Sequence, residues 1–195
     1  MLNEVLENTE RFMSSVPQTK RKKYGQVFTN ETTAKFMASL FCFDLSKQKI
    51  EILDAGAGTG ILAAAVVQKL YKLGYMGKIY VTCYETDELV MPLLEENMAL
   101  CNKLHNVSYT IKRENYVTSQ NFFNSTFFNN EDYQYDYIIG NPPYMKIPKD
   151  APEAKAMPDI CYGAPNMYFI FAAMGLFNLK DNGEIETLLY ILENR

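Results

Sequence analysis

Residues 136–146, DYIIGNPPYMK, carry an apolar run into an asparagine, two prolines and a tyrosine. Pro142 and Pro143 fix their backbone angles and have no N–H, so their carbonyl oxygens stay free to accept hydrogen bonds. The Asn141 side chain adds a second kind of acceptor, and Tyr144 adds a flat face on which a heteroaromatic ring or a planar amide can stack. Two acceptors held side by side suit an NH2 group, whose nitrogen can then attack a methyl sulfonium without a strong base. The alternative is an Asx turn beside a buried tyrosine.

A glycine-rich stretch, LDAGAGTGIL at residues 53–62, is the second candidate site. Gly56, Gly58 and Gly60 permit a tight turn and a close backbone approach to a ligand, and the helix that follows offers N–H groups at its N-terminus. The glycines stand at alternate positions, which departs from the G-x-G-x-x-G register of dinucleotide sites. Taken alone, the pattern fits a simple turn equally well.

Two acids beside this stretch narrow the choice of ligand. Glu85, in YETD, stands 25 residues after Gly60 at the predicted end of the next strand. A carboxylate there can accept both hydroxyl groups of a ribose; the alternative is an acid that caps a helix on a surface loop. Asp54 directly precedes the turn, where it can hold an ammonium group but would not help a pyrophosphate. The turn therefore favours S-adenosylmethionine, which has a ribose and an ammonium group but no phosphate.

The elements that must position these residues follow from the spacing of apolar side chains. Helices are predicted over residues 2–15, 31–42, 88–104 and 166–179, with an alanine-rich helix from the turn to about residue 73. Strands are predicted over residues 50–53, 78–87, 106–115 and 135–144. Residues 119–134 and 145–165 are predicted loops, residues 181–183 a turn, and residues 186–192 a fifth strand or a short helix. Strands that alternate with helices predict a parallel sheet covered on both faces.

Composition excludes several classes of protein. The 195 residues suit one domain with a sizeable core. No run approaches ~18 uncharged apolar residues, so no membrane span is predicted. The first residues, MLNEVLENTERF, carry three glutamates and lack the apolar segment of a signal peptide. The net charge of −4 does not favour a nucleic-acid binder, but it does not exclude a local basic face.

The four cysteines show no metal-ligand spacing, and with a single histidine, His105, no metal site is expected. Cys42, Cys83 and Cys101 stand in apolar or helical surroundings and are predicted to be buried free thiols. Free thiols indicate a reducing compartment, so a cytoplasmic location is expected.

Four motifs occur in order: YGQVFTN at 24–30, LDAGAGTG at 53–60, YETD at 84–87 and NPPY at 141–144. Together they resemble the N6-adenine DNA methyltransferases of bacterial restriction–modification systems, in the group whose cofactor motif precedes its catalytic motif and whose target-recognition domain is C-terminal. The resemblance runs from about Lys22 to Gly183. It implies an α/β, Rossmann-like class I S-adenosylmethionine-dependent methyltransferase fold, with a parallel sheet, helices on both faces and the last strands missing.

The resemblance also implies a role for each matching residue. The segment 25–29 would cover the methionine end of the cofactor, the acid and glycines of the turn would hold its amino-acid part, and Glu85 would take the ribose hydroxyls. Asn141 and the Pro142 carbonyl would bind the amino group of an adenine flipped out of the duplex, and Tyr144 would stack on that base. The implied cofactor-binding set is Tyr24, Gln26, Phe28, Thr29, Asp54, Ala55, Gly56, Gly58, Gly60, Glu85, Thr86, Asn115, Tyr116 and Asn141, and the implied catalytic set is Asn141, Pro142, Pro143 and Tyr144.

Two places depart from the family pattern. After the third strand the family has an Asp-Phe pair, whose Asp contacts the cofactor adenine amine. This chain has Asn115-Tyr116, where the Asn115 oxygen can still accept and Glu114 is a rival. After LKDNGE the family continues into further strands and a recognition domain, whereas this chain reads EIETLLYILENR. The expectation is a catalytic domain over 1–195, with N-terminal helices and a cofactor lid in 1–45, the core in 46–195, and no recognition domain.

The expected function is site-specific adenine-N6 methylation of double-stranded DNA, the modification reaction of a restriction–modification system. A recognition module or a restriction subunit would be a further partner. Residues 20–23, Lys146, Lys149 and Lys155 are candidate phosphate contacts, although most are interpreted more simply as solvated surface residues. Two alternatives stay open. One is glutamine-N5 methylation of release factors, whose enzymes share NPPY but have a separate helical N-terminal domain; the other is a non-catalytic cofactor-binding subunit.

Overall fold

Five parallel strands form one sheet within the residues that the structure describes. The computed structural model describes residues 1–17, 29–120, 134–161, 163 and 165–187. The strands are β1 (Lys49–Ala55), β2 (Lys78–Tyr84), β3 (Val107–Lys112), β4 (Tyr135–Gly140) and β5 (Leu179–Thr187). The helices are α1 (Leu2–Ser15), α2 (Glu31–Leu40), α3 (Ile61–Lys72), α4 (Met91–Asn102), α5 (Pro152–Ala156) and α6 (Met167–Asn178).

The strand order, β3-β2-β1-β4-β5, reverses direction in the middle of the sheet. The chain enters at β1, moves outward to β2 and β3, and returns to the other side of β1 with β4 and β5. Connections from the carboxyl ends of β1 and β4 therefore leave in opposite directions and open a crevice, the usual ligand position in such sheets. The glycine-rich turn (residues 55–60) follows β1 and the Asn-Pro-Pro-Tyr corner (residues 141–144) follows β4, so both lie at this crevice.

Two apolar clusters cover the two faces of the sheet. Ile50 and Ile52 of β1 belong to the cluster that includes α1 to α4, whereas Leu53 belongs to the cluster that includes α6. All six residues of β4 are buried, as expected for a central strand covered on both faces. The packing on both sides holds β1 and β4 in register, so the segments that follow them have fixed starting points.

The predicted helices and strands are confirmed, with shifted ends. α1 has its predicted bounds, and Asn30 begins α2 by accepting the Thr33 N–H at 2.8 Å. α4 starts at Met91, three residues late, because residues 88–90 first form a turn. The predicted loop at 145–165 contains the short helix α5. Most of the other predicted loop, residues 121–133, lies outside the described residues.

The turn predicted at residues 181–183 is wrong, because these residues lie inside β5. Tyr135 pairs with Leu179 and Tyr137 with Glu184, so five positions along β5 face two along β4. Asn182 adopts a left-handed φ of 62° in this bulge. The turn-forming residues therefore bend the strand without ending it. The sequence predicts a fifth strand or a short helix at residues 186–192; residues 186 and 187 lie in β5, which begins at Leu179, and residues 188–192 lie outside the described residues.

Cys83 and Cys101 are buried free thiols, as predicted, but Cys42 is exposed. Phe41 turns into the core where α2 ends, and in the extended segment that follows the next side chain points to solvent. None of the helices in the described ranges is long and apolar enough to cross a membrane. Among these same residues, no three His, Cys, Asp or Glu side chains are grouped as a metal site would require.

The amino-terminal edge of the sheet holds a cluster of ion pairs around Asp136. Its carboxylate lies 2.7 Å from Nζ of Lys47 and 3.2 Å from Nζ of Lys180, and it accepts the Glu51 N–H at 2.8 Å. Burial raises the pKa of Asp136, but these hydrogen bonds, with that from Lys47 the largest, outweigh it and bring the pKa below its ordinary value. Asp136, the first residue of the DYIIGNPPYMK stretch, therefore ties β1, β4 and β5 together away from the crevice.

Candidate active site

A cleft of about 460 Å³ opens at the carboxyl ends of the central strands. The predicted site residues that line it are Thr29, Gly56, Gly58, Glu85, Thr86, Asn115, Tyr116, Asn141 and Pro143. Those that do not border it are Asp54, Ala55, Gly60, Pro142 and Tyr144. The predicted lid residues Tyr24, Gln26 and Phe28 lie outside the described residues. Predicted residues from five parts of the chain thus meet in one cavity, although not every predicted residue faces it.

The glycine-rich turn requires its alternate glycines. Gly56, Gly58 and Gly60 have positive φ angles of 72°, 55° and 80°, a region that other residues rarely adopt. At Gly60, a Cβ atom would also lie 2.7 Å from Cε of Met98 in α4. The spacing of the glycines is therefore explained by backbone conformation and by the close packing of α4 behind the turn.

The Glu85 carboxylate is held by backbone N–H groups from two segments, the glycine-rich turn and the residues that follow β2. Its Oε2 accepts the Gly58 N–H at 2.8 Å, and its Oε1 accepts the N–H groups of Thr86 at 2.7 Å and Asp87 at 2.8 Å. The side chain is buried but borders the cleft. An ionised carboxylate offers about four acceptor positions, so Glu85 joins the glycine-rich turn to the end of β2 and retains capacity for a ligand hydroxyl.

Asp54 lies behind the turn and not at the cleft surface. It is fully buried, and its Oδ2 accepts the N–H of Ala63, in the first turn of α3, at 3.0 Å. Within the described residues Oδ1 has no hydrogen-bond partner. Burial raises the pKa of Asp54 to about 7; the Ala63 hydrogen bond opposes this and the nearby Glu85 adds to it. The side chain anchors α3, and the predicted hold on a ligand ammonium group, directly or through water, stays a prediction.

The Asn-Pro-Pro-Tyr corner reaches across the cleft to the start of α2. Nδ2 of Asn141 donates to Oγ1 of Thr29 at 3.2 Å, and both residues line the cleft. The Pro143 carbonyl accepts the Met145 N–H at 3.1 Å, so this carbonyl is engaged within the loop, contrary to the expectation that both proline carbonyls stay free. Pro142 is buried beside Asn141. The corner therefore presents the Asn141 amide and the Pro143 residue to the same cleft that Glu85 borders.

The ring of Tyr144 is held by the helix that follows the loop. It stacks on Tyr168 of α6, with ring centroids 5.6 Å apart and 13° between the ring planes. Asn166 caps α6 by accepting the Tyr168 N–H at 3.0 Å, and the Ile147 N–H donates to the Pro165 carbonyl at 2.9 Å. These contacts close the loop onto α6 and fix the orientation of the Tyr144 ring.

Asn115 uses both ends of its side-chain amide inside the protein. Its Oδ1 accepts the N–H groups of Val117 at 3.0 Å and Thr118 at 3.2 Å, which is an Asx turn. Its Nδ2 donates to Oε1 of Glu153 in α5 at 2.8 Å. The predicted use of the Asn115 oxygen as an acceptor for a cofactor amine would therefore compete with two existing hydrogen bonds.

Tyr116 forms a wall of the cleft. Its ring packs edge-on against Tyr84, at 5.1 Å and 62°, and against Phe171, at 5.5 Å and 56°. Its hydroxyl donates to Oδ1 of Asn178 at 2.7 Å, and burial raises the pKa of this hydroxyl well above its ordinary value. Tyr116 therefore stays neutral and supplies apolar surface, which suits the flat face of a nucleobase.

Comparison with known proteins decides the family. The family model described as N-6 DNA Methylase matches residues 5–185. The chain belongs to the N-6 DNA methylase family. The match includes the glycine-rich turn, Glu85 and the Asn-Pro-Pro-Tyr corner, so the resemblance inferred from the motifs is confirmed.

The chain is similar in sequence to two methyltransferases of different kinds. Type II methyltransferase M.PstI of Providencia stuartii is 31% identical over 176 residues, which are 88% of this chain and 34% of that protein. Release factor glutamine methyltransferase of Fusobacterium nucleatum is 33% identical over 123 residues, 61% of this chain and 28% of that protein. The chain therefore spans about a third of the length of M.PstI.

The fold is that of class I S-adenosylmethionine-dependent methyltransferases, as predicted. The Listeria monocytogenes protein lmo1582, assigned to that class, superposes with a TM-score of 0.67 at 17% identity, covering 96% of this chain and 54% of that one. At this level of identity the match establishes the fold alone.

The rim of the cleft is acidic. Asp87, Glu88 and Glu114 border it together with Glu85. Among the described residues that line the cleft, none is Lys, Arg or His. A cleft lined by one sign of charge attracts ligands of the opposite sign and opposes phosphate groups. The acids and the tight turn therefore fit a positively charged nucleoside better than a dinucleotide.

The sequence did not predict a polar network behind the glycine-rich turn. Thr59, which lines the cleft, shares a hydrogen bond between Oγ1 atoms with Thr9 of α1 at 3.0 Å. The Thr59 carbonyl accepts from Nδ2 of Asn97 in α4 at 2.8 Å, and Asn97 Oδ1 accepts from Asn8 at 3.1 Å. Thr9 stands on the otherwise apolar buried face of α1. A polar residue at that position of the sequence was the sign that α1 makes a buried hydrogen bond.

Proposed function

We propose that this chain is the catalytic unit of a DNA adenine-N6 methyltransferase from a bacterial restriction–modification system, acting on an adenine flipped out of double-stranded DNA. The observation that carries the proposal is that Asn141 lines the same cleft as the glycine-rich turn and Glu85. A methyl donor held at one end and an amino group held at the other would then meet inside one cavity. Membership of the N-6 DNA methylase family supports the same conclusion.

The proposed cofactor is S-adenosylmethionine, which supplies an activated methyl group when bound. The acidic rim suits its positive charge, and Glu85 is placed to accept ribose hydroxyls. Gly56 and Gly58 let the backbone approach the amino-acid part. Tyr116 borders the cleft and is proposed to form the apolar wall beside the adenine. Thr29 borders the cleft from the start of α2, and residues Tyr24, Gln26 and Phe28 before it are proposed to complete the lid.

The target amino group is proposed to bind at the corner. The Asn141 side-chain oxygen and the Pro142 carbonyl would accept its two N–H groups, which leaves the nitrogen lone pair directed away from the ring plane. Tyr144, held by Tyr168, would stack on the flipped base. Flipping costs a few kcal/mol, and stacking offsets part of that cost. No side chain at the corner has to act as a strong base.

The described residues also support the proposed division of the chain. Residues 1–45 would supply the N-terminal helices and the lid, and residues 46–195 the core. α1 and α2 pack against the same apolar cluster as α3, so they belong to the same folding unit. The proposed partners of this unit are double-stranded DNA and a recognition module or restriction subunit. The recognition module would make the sequence-specific contacts with DNA.

Two measurements test the proposal. Titration calorimetry with S-adenosylhomocysteine should give measurable binding, and transfer of tritiated methyl groups to adenine-containing DNA should follow when a recognition partner is supplied. Asn141→Ala should abolish transfer while leaving cofactor binding within about threefold. Activity that survives Asn141→Ala would remove the corner from the mechanism, and absence of cofactor binding would overturn the proposal itself.

A second candidate function is methylation of a protein glutamine. It is supported by the 33% identity to Release factor glutamine methyltransferase over 123 residues, and a carboxamide also offers an NH2 group to Asn141 and Pro142. The same tritium assay separates the two functions. Transfer to a release factor and not to DNA would favour the glutamine substrate; transfer to DNA alone would exclude it.

A further inference from the structure

We infer that Asn115 is a positioning residue that, through Glu153, ties the segment after the corner (residues 145–161) to the rim of the cofactor cleft. This inference rests on the proposed function for its consequences but on the contact itself for its geometry. Asn115 lines the cleft just after β3, and Glu153 lies in α5, 38 positions further along the chain. Their 2.8 Å hydrogen bond links the cofactor end of the site to the loop that leaves the target end.

The Asx turn makes Asn115 a rigid anchor for this link. Its Oδ1 accepts two N–H groups, from Val117 and Thr118, which sets the direction of the side chain and points Nδ2 at α5. Asn115 and Glu153 are both half-buried. A hydrogen bond to a charged acceptor in such a place is stronger than one between neutral groups, so the contact is suited to holding a short helix in place.

Apolar side chains also attach α5 to the protein, but the polar contact with Asn115 sets the position of this helix. Ala154 and Met157 are buried, at 3% and 2% exposure; Met157 belongs to the smaller apolar cluster and Ala156 packs against it. Apolar contacts of this kind are not directional. The Asn115–Glu153 hydrogen bond is directional, and it determines how α5 meets the cleft rim.

The direction of the hydrogen bond, with Asn115 as donor and Glu153 as acceptor, distinguishes a positioning role of Asn115 from direct binding of the cofactor. If Asn115 acted by accepting a hydrogen bond from the cofactor adenine, Asn115→Asp would keep that acceptor and preserve binding. If it acts by donating to Glu153, Asn115→Asp places two carboxylates at hydrogen-bond distance, and their repulsion separates α5 from the rim. The two roles therefore predict opposite results for one substitution.

The decisive experiment exchanges the two side-chain groups in the full 195-residue chain. Asn115→Asp should weaken S-adenosylhomocysteine binding by about five- to tenfold. The double variant Asn115→Asp/Glu153→Gln restores a donor–acceptor pair with reversed direction and should bind within about twofold of the unaltered chain. Glu153→Gln alone keeps an acceptor for Asn115 and should change affinity by about twofold or less. Binding that is unchanged in Asn115→Asp, or not rescued by the exchange, would overturn the inference.

A readout without cofactor tests the tether independently. Lys149 and Lys155 are exposed on the segment, and trypsin cleavage after them should accelerate about fivefold in Asn115→Asp and in Glu153→Ala, and return to the original rate in the exchanged double variant. Asp150→Asn, which removes an exposed acid from the same segment, is the matched control and should cleave as the unaltered chain does. Equal cleavage in all variants would overturn the inference.

Failure of this inference and failure of the proposed function give different results. A chain that shows no heat with S-adenosylhomocysteine contradicts the proposed function, while the cofactor-free cleavage rates still decide the tether. A chain that binds S-adenosylhomocysteine but cleaves equally in every variant contradicts the tether alone. Thermal unfolding of Glu153→Ala within a few degrees of the unaltered chain would show that faster cleavage reflects the segment and not the whole fold.

Discussion

Asp54 of β1 and Asp136 of β4 are buried acids at opposite edges of the same sheet, and their surroundings differ in kind. Asp136 at the amino edge is neutralised by Lys47 and Lys180, and its pKa lies below the ordinary value. Asp54 at the carboxyl edge receives one backbone hydrogen bond, has no cationic partner among the described residues, and has its pKa raised by burial to about 7. Within the described part of the chain, lysines pair with the buried acid at the amino edge, whereas at the carboxyl edge the cations Arg113 and Lys112 pair with the exposed rim acids Glu88 and Glu114 and not with the buried Asp54.

The difference separates stability from function within one sheet. Glu85, at the same carboxyl edge as Asp54, is held by three backbone N–H groups and, among the described residues, by no lysine or arginine. Two buried acids that lack a cationic partner there make this edge complementary to a cationic ligand. Changes at the amino edge should therefore affect stability but not ligand binding, whereas changes at the carboxyl edge should affect ligand binding and, through Asp54, the pH dependence of stability.

The largest expected effect is on the pH dependence of stability through Asp54. Its folded pKa lies above its unfolded value of about 3.9, so the folded state binds the proton more tightly and stability falls as pH rises from about 4 to about 7. The loss is up to about 4 kcal/mol. Asp54→Asn, which can still accept the Ala63 N–H, should remove this loss. Urea unfolding at pH 5 and pH 8 measures it; equal pH dependence in both proteins would show that Asp54 is not the responsible group.

The next effect is on ligand affinity through Glu85. Glu85→Ala removes the acceptor for three N–H groups and the proposed acceptor for ribose, so the turn loosens and S-adenosylhomocysteine binding should weaken by about 100-fold. Glu88→Ala is the matched control, because it removes the same charge from the rim at a side chain that is 76% exposed and holds no backbone group in place. Calorimetry on both variants decides. A similar loss in the two would mean that rim charge, and not the placement of Glu85, controls binding.

The parts of this arrangement that local patterns encode could be predicted from the sequence. Apolar periodicity indicates helices and strands, and alternation of the two predicts a parallel sheet. In such a sheet, the segments after β1 and β4 must meet at the crevice. The sequence therefore predicts that the glycine-rich turn and Asn141 lie near each other, and they do line one cleft.

The rest depended on contacts between residues far apart in the chain. A motif identifies Asp54 as an acid beside a turn, but the side on which its carboxylate lies is set by the packing of α3 against β1. The partner of Asn115 is Glu153, in a segment predicted as a loop. At Asn182, the turn chemistry was recognised, but pairing with β4 kept the chain in the sheet as a bulge. The spacing of apolar residues shows which face of a helix or strand is buried, but not which residue elsewhere in the chain packs against it.

A smaller effect is expected at the amino edge. Asp136→Asn breaks a buried carboxylate's contacts with Lys47 and Lys180, which are themselves about a third exposed, and should cost about 2 kcal/mol of unfolding free energy at pH 7. Because the folded pKa of Asp136 is depressed, this stability is present above the unfolded pKa and is lost as pH falls through the folded pKa, so the two proteins should converge at low pH. Cofactor affinity should not change; a change would couple the two edges and break the comparison.

The smallest effect tests how far the carboxyl edge extends. Thr9 contributes one buried hydroxyl to Thr59 at the cleft, so Thr9→Val, nearly equal in shape, should weaken S-adenosylhomocysteine binding about three- to fivefold and lower stability by about 1 kcal/mol. Thr9→Ser keeps the hydroxyl and should restore affinity even though it leaves a small cavity in the apolar stripe. Thr110→Val, at an exposed position on β3, is the control for the same substitution away from the cleft. If Thr9→Ser and Thr9→Val lost affinity equally, the packing of α1, and not the Thr9 hydroxyl, would hold the glycine-rich turn in place. The polar contacts that support ligand binding would then extend no further than Thr59.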